Sequence, residues 1–546
     1  MVSVTAGLAC LVGLGGCEPA PPTLAMTLKL LPDFVNSGAV LDEDPEIKLV
    51  RLLPDGEEII SYVGTGARGT ELTLSIELPV PGGTQIGLLA ERSGSISDEW
   101  QPSQTLAYGQ GVVAEDLITG DHELAFLVAN VGQLAEFSLL AEARRRWRGA
   151  AVMLPNGDTY LFGGGDPQSA NIHSSRVLKL TRLDQGNTSF QNVGEIPTFN
   201  DRDGNPVPER VGMGAALVEV DGAPAILITG GRDIYDATFP DVDGWFLWDP
   251  ATDTVLDQAD PLDPEDSMGE ARSEHLSIPF EGGNVLLYGG IVEGGISTFA
   301  SYTIWKSRSG RFERGTEIND VEAGRMHAMG APSGGEVVVC GGLIISFGLG
   351  DQITWTPTNA CNRFQPDGSV EPFPPLPGPL AGGTMLALED GSLLVTGGFS
   401  EPIEEIWDQI DPFGSLYTSS DAVRDAFLYD VTTNLWREVG PLALARAHHR
   451  MVPLSDGRVV VIGGSTMGNA LFGAYQEAVR CTELFDPDTE TFAQAGCSDV
   501  GRGAHPLVAW YPGEDAVVIE GAWGEQDISE GGSEYGLIGL GPALTR

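Results

Sequence analysis

Arginine recurs at regular intervals through the later part of the chain, often just ahead of a histidine. The six arginines are Arg148, Arg210, Arg272, Arg325, Arg446 and Arg502. The histidines that follow an arginine by two or three residues are His275, His327, His448 or His449, and His505. A guanidinium is a planar fork of donors that suits carboxylates and phosphates. If these side chains converge, they form a pocket for an anionic ligand.

Each arginine begins a sequence unit with a constant plan: an apolar run, a turn that contains Gly, and a second apolar run that ends in Gly-Gly. The units are Arg148–Gly164, Arg210–Gly231, Arg272–Gly290, Arg325–Gly342, Ala381–Gly398, Arg446–Gly464 and a degenerate Arg502–Ala522. The ends of the second runs lie 52 to 67 residues apart. Short apolar runs separated by turn residues predict strands. In the fifth unit Ala381 stands where the other units have arginine.

The second half of a unit contains a strand that ends in an aromatic residue and Asp, as in Phe246–Pro250, Phe427–Asp430 and Leu484–Pro487. Together with the diglycines, these segments resemble the Kelch signature over roughly residues 142–530. The resemblance implies an all-β fold, a seven-bladed Kelch-type β-propeller with six blades as the alternative. A single blade cannot bury its own faces, so several must pack in a ring. We expect Gln133–Ala141 to add an outer strand to the last blade and close that ring.

The resemblance also implies that the first strand of each blade lines a central channel whose mouth binds ligands. It places the six arginines with His275, His327, His449 and His505 near one mouth. A structural alternative is that each arginine pairs with an Asp, Glu or carbonyl of a neighbouring blade and staples the ring. The sequence leaves both open.

Enzymes with Kelch propellers offer two comparisons. The copper oxidases require a Tyr crosslinked to a Cys beside two His, and this sequence has no matching couple. Sialic acid epimerases would need an arginine for the carboxylate and an acid and a base, for which Glu274, His327 and His449 are candidates. No spacing names a specific catalytic pair, so we assign no catalytic residue. The main hypothesis is a binding protein, with a sugar-modifying enzyme or a structural scaffold as alternatives.

The first residues resemble a bacterial lipoprotein signal peptide. Residues 2–16 are apolar and small and end in Leu14-Gly15-Gly16 before Cys17. This arrangement implies a signal peptide over residues 1–16, a lipidated Cys17 and a Pro-rich tether over residues 17–23. Glu18 after the cysteine suggests the outer membrane as the destination. A periplasmic or secreted protein is the alternative.

Residues 24–130 alternate apolar and polar residues in about seven short runs, such as Glu71–Leu78 and Glu123–Ala129. This pattern predicts a small antiparallel, immunoglobulin-like β-sandwich before the propeller of residues 131–546. It contains no catalytic constellation, so we interpret it as a spacer or docking module.

Four cysteines remain for the propeller: Cys340, Cys361, Cys481 and Cys497. They allow three pairings. Proximity favours Cys340 with Cys361 and Cys481 with Cys497, because each pair flanks a turn between predicted antiparallel strands. An exported protein would hold such pairs as disulfides.

The composition is strongly acidic, with 77 Asp and Glu against 30 Lys and Arg and a net charge of −47. A field of this sign repels nucleic acid, so we expect no nucleic-acid partner. We expect a monomer that contacts the membrane only through its lipid and binds an unidentified protein or glycan. Asp201, Asp203 and Asn205 alternate in one insertion and are oxygen ligands that suit Ca²⁺. Such clusters also arise by chance in an acidic chain, and we expect no other cofactor. Trp355 and Trp407 lie in the long insertions 343–360 and 399–424, where they could shape a groove for a carbohydrate or a partner or could pack on the propeller rim.

Overall fold

The computed structural model describes the chain from residue 149 to residue 502 with gaps, and outside that range it describes strands alone. The gaps are residues 157, 165–174, 181–190, 202–203, 234–240, 261–265, 281, 293–296, 299–301, 316–324, 348–352, 408–414, 418–419, 455–456 and 469–475. The described side chains lie between residues 149 and 494. All the described elements are strands, as predicted for an all-β protein. None of them is a helix of the length and hydrophobicity that crossing a membrane requires.

The chain divides into two compact units. The first comprises residues 1–131, 183–186 and 541–546, and the second comprises residues 132–182 and 187–540. The strands of the first unit are β1 (Thr23–Leu31), β2 (Glu46–Leu52), β3 (Glu58–Thr65), β4 (Glu71–Glu77), β5 (Gln85–Glu91), β6 (Thr105–Val112), β7 (His122–Leu127) and β8 (Ala129–Asn130). They form two sheets, in the orders β4-β1-β7 and β3-β2-β5-β6-β8.

One strand pair of the first unit departs from the antiparallel prediction. β1 pairs with β7 in parallel, whereas the other described pairs of this unit are antiparallel. Strands joined by a hairpin must run antiparallel. β1 and β7 are separated by five intervening strands, so no hairpin fixes their relative direction.

The second unit begins with one strand that precedes the repeats and continues with two blades. The strand that precedes the repeats is β9 (Ala135–Ser138). Blade 1 has β10 (Ala150–Met153), β11 (Thr159–Phe162), β12 (Arg176–Leu180) and β13 (Gln191–Glu195), and a hairpin of β14 (Phe199–Asn200) and β15 (Pro206–Val207) follows it. Blade 2 has β16 (Gly214–Val220), β17 (Ala223–Thr229), β18 (Trp245–Asp249) and β19 (Thr254–Gln258). Both blades pair their strands in chain order.

Blades 3 and 4 each contain a hairpin or strand pair inserted between their second and third strands. Blade 3 has β20 (Leu276–Pro279), β21 (Val285–Tyr288), the inserted β22 (Ile291–Val292) and β23 (Ser297–Thr298), β24 (Tyr302–Lys306) and β25 (Arg311–Arg314). Blade 4 has β26 (Met329–Ser333), β27 (Glu336–Cys340), the inserted β28 (Leu343–Phe347) and β29 (Ile353–Pro357), β30 (Cys361–Phe364) and β31 (Val370–Phe373).

Blades 5 and 6 follow the same plan. Blade 5 has β32 (Thr384–Ala387), β33 (Leu393–Thr396), the inserted β34 (Ile403–Trp407), β35 (Ser415–Tyr417) and β36 (Ser420–Asp421), β37 (Ala426–Asp430) and β38 (Leu435–Glu438). Blade 6 has β39 (Arg450–Pro453), β40 (Val459–Ile462), the inserted β41 (Ser465–Gly468), β42 (Gln476–Asp486) and β43 (Thr491–Arg502). The insertions of blades 4 and 5 join in a sheet of their own, in the order β28-β29-β34-β35.

The six blades are arranged as a propeller. Their first strands lie side by side in the order β10, β16, β20, β26, β32 and β39, so these strands form the inner wall. A further four-stranded sheet, which we call the closing sheet, consists of β44 (Leu507–Tyr511), β45 (Ala516–Glu520), β46 (Glu534–Leu537) and β9. β44 lies beside β10, and β9 pairs antiparallel with β46 at the outer edge. The segment that we expected to supply an outer strand therefore does so.

Aromatic side chains fill the space between neighbouring blades. The ring centroids of Phe162 and Trp248 lie 5.9 Å apart between blades 1 and 2, and those of Trp245 and Trp305 lie 5.0 Å apart between blades 2 and 3. Phe373 and Tyr429 make the same kind of contact between blades 4 and 5, at 4.6 Å. Offset and edge contacts of this kind stabilise packing beyond the area they bury. The recurring aromatics of the sequence therefore fix the blades against one another.

Candidate functional site

Five residues occupy the same place in consecutive blades, just before the first strand, and we call them the mouth ring. They are Gly212, Glu274, His327, Gly382 and His448, with backbone φ angles of 66°, 55°, 53°, 68° and 54°. A φ in this range is left-handed and favours glycine, while a residue with a side chain pays roughly 1–2 kcal/mol. Two blades use glycine here, and three hold a titratable side chain in a strained conformation.

Backbone hydrogen bonds connect the mouth ring from blade to blade. The amide of Glu274 donates to the carbonyl of Gly212 at 2.8 Å, that of Gly382 to His327 at 2.8 Å, and that of His448 to Gly382 at 2.7 Å. These bonds require the left-handed backbone, because they turn each amide toward the preceding blade. The glycines also make room for their neighbours: a Cβ on Gly212 would lie 2.5 Å from Oε1 of Glu274, and one on Gly382 would lie 3.0 Å from Cε1 of His448.

The mouth ring borders a cavity of about 260 Å³ in the channel. Besides the ring, the residues that line it are Gly149, Met213, His275, Leu276, Ala328, Met329, Gly330, Gly383, Thr384, Met385, His449 and Arg450. The rings of His327 in blade 4 and His448 in blade 6 are in contact, with their centroids 4.6 Å apart. Arg450 is exposed and lines the cavity. Desolvation of the guanidinium within the cavity lowers the pKa of Arg450, and the charge of Glu274 opposes that shift. The cavity therefore combines one carboxylate, one guanidinium and two imidazoles in contact.

The predicted arginine girdle lies elsewhere. Arg210, Arg272, Arg325 and Arg446 are at most 1% exposed, and none of them lines the cavity. Arg325 shows the pattern: its Nε donates to the hydroxyl of Tyr288 at 2.9 Å, and its Nη2 donates to Oδ1 of Asn362 at 2.8 Å. These contacts hold the guanidinium between strands of blades 3 and 4. The side chains thus act within the walls of the propeller.

The other three buried arginines clamp the diglycine of their own blade. Arg210 donates to the carbonyl of Gly230 at 2.8 Å, Arg272 to Gly289 at 3.3 Å, and Arg446 to Gly463 at 3.0 Å. Burial lowers the pKa of Arg210 to about 9 and that of Arg272 to about 10, the latter opposed by the charge of Glu270. The stapling alternative of the sequence analysis expected acceptors in a neighbouring blade, whereas Arg272 and Arg446 bond within their own blades, and the cross-blade contact of Arg325 is to the hydroxyl of Tyr288.

Links to the preceding blade pass through the backbone at the arginine position. The amides of Gly164, Gly231 and Gly398 donate to the carbonyls of Arg210, Arg272 and Arg446 at 2.9 Å each. In blade 5 the equivalent acceptor is Leu380, which receives the amide of Gly342 at 2.8 Å. A Cβ on Gly341 would lie 2.3 Å from this carbonyl, so the close approach requires the diglycine. Leu380, and not Ala381 as predicted, occupies the arginine position.

His275 and His449 stand one residue after the mouth ring and turn into the wall. Nε2 of His275 lies 2.8 Å from Oγ1 of Thr229 in blade 2, and Nε2 of His449 lies 2.7 Å from Oγ1 of Thr396 in blade 5. Burial lowers the pKa of His275 to about 3, helped by the charge of Arg272. Burial likewise lowers the pKa of His449 well below its ordinary value, helped by Arg446 and Arg450. Both imidazoles are therefore neutral links between blades at neutral pH. His448, rather than the predicted His449, is the histidine that meets His327.

Other predicted site residues have separate outcomes. Asp201 accepts hydrogen bonds from the amide and the side chain of Asn205, at 2.7 and 3.0 Å. Asp203 lies outside the described residues, as do Cys17 and His505, and the side chains of Arg148 and Arg502 are likewise not described. No group of three His, Cys, Asp or Glu that could hold a metal ion occurs among the described residues. The calcium site stays a prediction.

The predicted cysteine pairing is confirmed in blade 4. Cys340 and Cys361 form a disulfide, opposite each other on β27 and β30. Cys481 is also disulfide-bonded, and its register partner on β43 is Cys497. Trp355 is fully buried in a cluster with Leu343 and Ile403, which favours the packing alternative over the groove for this side chain. The side chain of Trp407 lies outside the described part of the chain.

The chain matches known proteins only in part. No known protein-family model matches the chain. An F-box/kelch-repeat protein of Arabidopsis thaliana is 31% identical over 120 residues, which is 22% of this chain. The matched segment spans only 26% of that relative. The solved structure of the protein YjhT aligns with 64% of this chain and 97% of its own, at 14% identity and a TM-score of 0.43.

Proposed function

We propose that the protein binds a ligand, or a projecting group of a protein partner, in the cavity bordered by the mouth ring. The single observation that carries the proposal is the left-handed backbone of Glu274, His327 and His448 at the cavity, where blades 2 and 5 have glycine. Strained residues persist where the surrounding structure holds them, and they cluster at functional sites. Glycine would serve the backbone equally well at these positions. We therefore infer that these three side chains have a role in the cavity that offsets the cost of the left-handed backbone.

The charged groups of the cavity narrow the earlier hypothesis of an anionic ligand. With four of the arginines buried in the walls, Arg450 is the cationic group that reaches the described cavity. It suits one carboxylate or a similar anionic group. Glu274 disfavours a ligand with several negative charges. A monoanionic sugar or a single carboxylate of a partner therefore fits better than a polyanionic glycan.

A thermal-shift screen of the purified protein tests this function, with acidic and neutral sugars, carboxylate peptides and amino acids as probes. A ligand that binds only the folded state at ~100 times its dissociation constant adds ~2.7 kcal/mol of stability. We expect a saturable shift with at least one probe, and its loss in His448→Gly and Glu274→Gln. Asp221→Gly relieves the same kind of backbone strain in a turn remote from the cavity, and this control should bind as the unmodified protein does. Equal binding in all variants would contradict the site.

A Kelch-fold enzyme that acts on sugars is the second candidate. It is supported by the presence of Glu274 and His327 on the same cavity wall, where they could serve as a base and an acid. Its third predicted member, His449, is engaged by Thr396. Turnover of acidic sugars that disappears in both Glu274→Gln and His327→Gln would establish this activity. A structural scaffold is the third candidate, and the screen separates it by giving no shift.

We further propose that the closing sheet is a seventh blade and that residues 24–130 form an immunoglobulin-like spacer. The contact of β44 with β10 and the pairing of β9 with β46 support the seventh blade. We propose a lipid anchor at Cys17 in the bacterial envelope on the strength of the Leu14–Cys17 segment alone. Fatty-acid labelling of the expressed protein tests it, because Cys17→Ser should abolish the label.

A further inference from the structure

We propose that Arg210 binds a small monovalent inorganic anion, such as chloride, in the wall of the propeller just before blade 2. Arg210 does not line the cavity that the mouth ring borders, so this site is independent of the function proposed above. The inference rests on a comparison of the guanidinium of Arg210 with its counterparts in the other blades.

The guanidinium of Arg210 is buried, and only part of it is hydrogen-bonded. Its Nη1 donates to the carbonyl of Gly230 at 2.8 Å, and its Nη2 donates to the carbonyl of Pro197 at 3.4 Å. Its buried Nε has no hydrogen-bond partner among the described residues. Nε and Nη2 lie on one edge of the planar group, and such an edge can hold an anion through two parallel hydrogen bonds. Within the described part of the chain, this edge makes one long bond to a neutral oxygen.

The same edge has side-chain oxygens as partners in blades 4 and 6. In Arg325, Nε donates to the hydroxyl of Tyr288 at 2.9 Å and Nη2 donates to Oδ1 of Asn362 at 2.8 Å. In Arg446, Nη2 donates to Oε1 of Glu483 at 2.7 Å. The guanidinium of these two blades therefore finds its acceptors on side chains of the protein.

The strand register explains why blade 2 differs. Asn362 and Glu483 lie on the third strand of their blades, each opposite the residue two positions before the diglycine. The residues at this place in blades 2 to 6 are Phe246, Thr303, Asn362, Phe427 and Glu483. Blade 5 combines its phenylalanine with Leu380 at the arginine position. Blade 2 combines Phe246 with Arg210, so a charged group faces an aromatic ring where the other arginines have an oxygen-bearing residue.

Aromatic rings compensate the buried charge only in part. Cζ of Arg210 lies 4.8 Å from the ring centroid of Phe199 and 5.8 Å from that of Phe246. Cation–π contacts recover less free energy than the burial of an ion costs. Burial lowers the pKa of Arg210 to about 9, whereas carboxylates oppose the same shift in Arg272 and Arg446. The group is still charged at neutral pH, and an anion at the Nε–Nη2 edge supplies the missing negative charge.

Burial and charge restrict the class of anion. Arg210 is 1% exposed, and Phe199 of the hairpin β14–β15 packs on its guanidinium. A carboxylate on a protein partner or a sugar therefore cannot reach the group while the hairpin is in place. Phenylalanine rings have no donors for the extra oxygens of a polyatomic anion. One guanidinium balances one negative charge, so a compact monovalent ion fits best.

The test measures how chloride affects unfolding of the full-length protein in urea at neutral pH. Sodium methanesulfonate is replaced stepwise by sodium chloride at constant ionic strength, which keeps the screening of surface charges equal. We expect the unfolding midpoint to rise with chloride concentration and to reach a plateau. Arg210→Leu, which copies Leu380 and Phe427 of blade 5, should remove this dependence. Phe246→Glu, which copies the pair of Arg446 and Glu483, should remove it as well, because its carboxylate occupies the same edge.

Arg437→Met is the control, since it removes an exposed guanidinium and should leave the chloride dependence unchanged. An equal dependence in the unmodified protein and Arg210→Leu would overturn the site, and so would the absence of any dependence in the unmodified protein. If Arg210→Leu does not fold, Phe246→Glu decides in the same way. Crystals grown in bromide give a direct reading, with an anomalous peak expected beside Nε and Nη2 of Arg210. No peak there at saturating bromide would refute the inference.

Discussion

Nη2 of Arg446 lies 2.7 Å from Oε1 of Glu483, and both side chains are completely inaccessible to solvent. The carboxylate of Glu483 also accepts hydrogen bonds from the backbone amides of Ala443 and Leu444, at 2.6 and 3.1 Å. The guanidinium reaches the carbonyls of Gly463 and Cys481 at 3.0 and 2.9 Å. The pair thus fixes the entry to blade 6 and two of its strands at once. Each ion has several hydrogen-bond partners, which is the condition under which a buried pair is tolerated.

Arg446→Met should destabilise the propeller strongly, because it leaves the carboxylate of Glu483 buried without its counter-ion. Breaking one partner of a buried pair costs about 3–5 kcal/mol. Urea denaturation measures the free energy of unfolding. Arg437→Met is the matched control, since Arg437 pairs with Glu490 and both side chains are more than a third exposed. That change should cost less than about 1 kcal/mol. Unchanged stability in Arg446→Met would contradict a structural role for this buried pair.

The folded protein should lose stability below about pH 6.5 because of His275 and His449. Their pKa values are lowered in the folded state, to about 3 for His275. The unfolded chain, with an ordinary pKa near 6.5, therefore binds more protons as the pH falls. The stabilisation is complete above pH 6.5 and is lost progressively toward the folded pKa, with a limit of about 1.4 kcal/mol per pH unit for each histidine.

Unfolding curves between pH 7.5 and pH 4.5 measure this dependence. The double variant His275→Gln and His449→Gln cannot titrate at these positions, so its stability should vary less with pH than that of the unmodified protein. Carboxylates contribute to the slope of both proteins, and the difference between the two slopes isolates the histidines. Identical slopes would show that the two rings do not resist protonation.

Reduction of the disulfide in blade 4 should loosen the propeller. Cys340 and Cys361 are 21 residues apart in sequence and join β27 to β30 across the inserted β28 and β29. A crosslink that closes a loop of this length stabilises by about 3 kcal/mol, mainly by restricting the unfolded chain. We expect Cys340→Ala with Cys361→Ala to lower the free energy of unfolding by about 2–4 kcal/mol. A reductant should then lower the melting temperature of the unmodified protein more than that of this variant, and equal effects would contradict the assignment.

A seventh blade predicts that β9 is needed to close the ring. Removal of residues 1–131 retains β9, and removal of residues 1–138 deletes it. The shorter chain loses the strand that pairs with β46, so it should melt lower by ~2–4 °C for each kcal/mol of lost pairing. Differential scanning calorimetry of both truncated chains gives the comparison. Equal melting temperatures of the two truncated chains would contradict a seventh blade that β9 completes.

The order of the repeat, and therefore most of the fold, could be predicted from the sequence. Diglycines and aromatic-Asp turns are local signals, and they predicted the blades. The apolar run Gln133–Ala141 predicted the outer strand, which the structure has at Ala135–Ser138. The Asp of these turns has a local reason as well: Oδ1 of Asp430 accepts the amide of Thr432 at 2.7 Å and closes the turn. The parallel pairing of β1 with β7 could not be predicted, because no local signal sets the direction of distant strands.

The direction of the side chains at the mouth was harder to predict. An arginine at the start of an inner strand can reach the channel or turn between strands, and its spacing is the same in both cases. The spacing of the histidines was more informative than we assumed. His327 and His448 follow an arginine by two residues and belong to the mouth ring, whereas His275 and His449 follow by three and lie in the wall. Leu380 was missed because it carries no guanidinium, although its carbonyl makes the same link.

Replacement of a mouth-ring residue by glycine should separate stability from function. In His448→Gly the left-handed backbone becomes unstrained, a gain of about 1 kcal/mol, and the ring contacts with His327 and Phe399 are lost. These effects oppose each other, so we expect the free energy of unfolding to change by less than about 1 kcal/mol while ligand binding disappears. Asp221→Gly, at a φ of 52° in an exposed turn, should keep binding and gain up to about 1 kcal/mol. A loss of more than about 2 kcal/mol in His448→Gly would instead make His448 a packing residue, and the strain at the mouth would then serve the assembly of the ring.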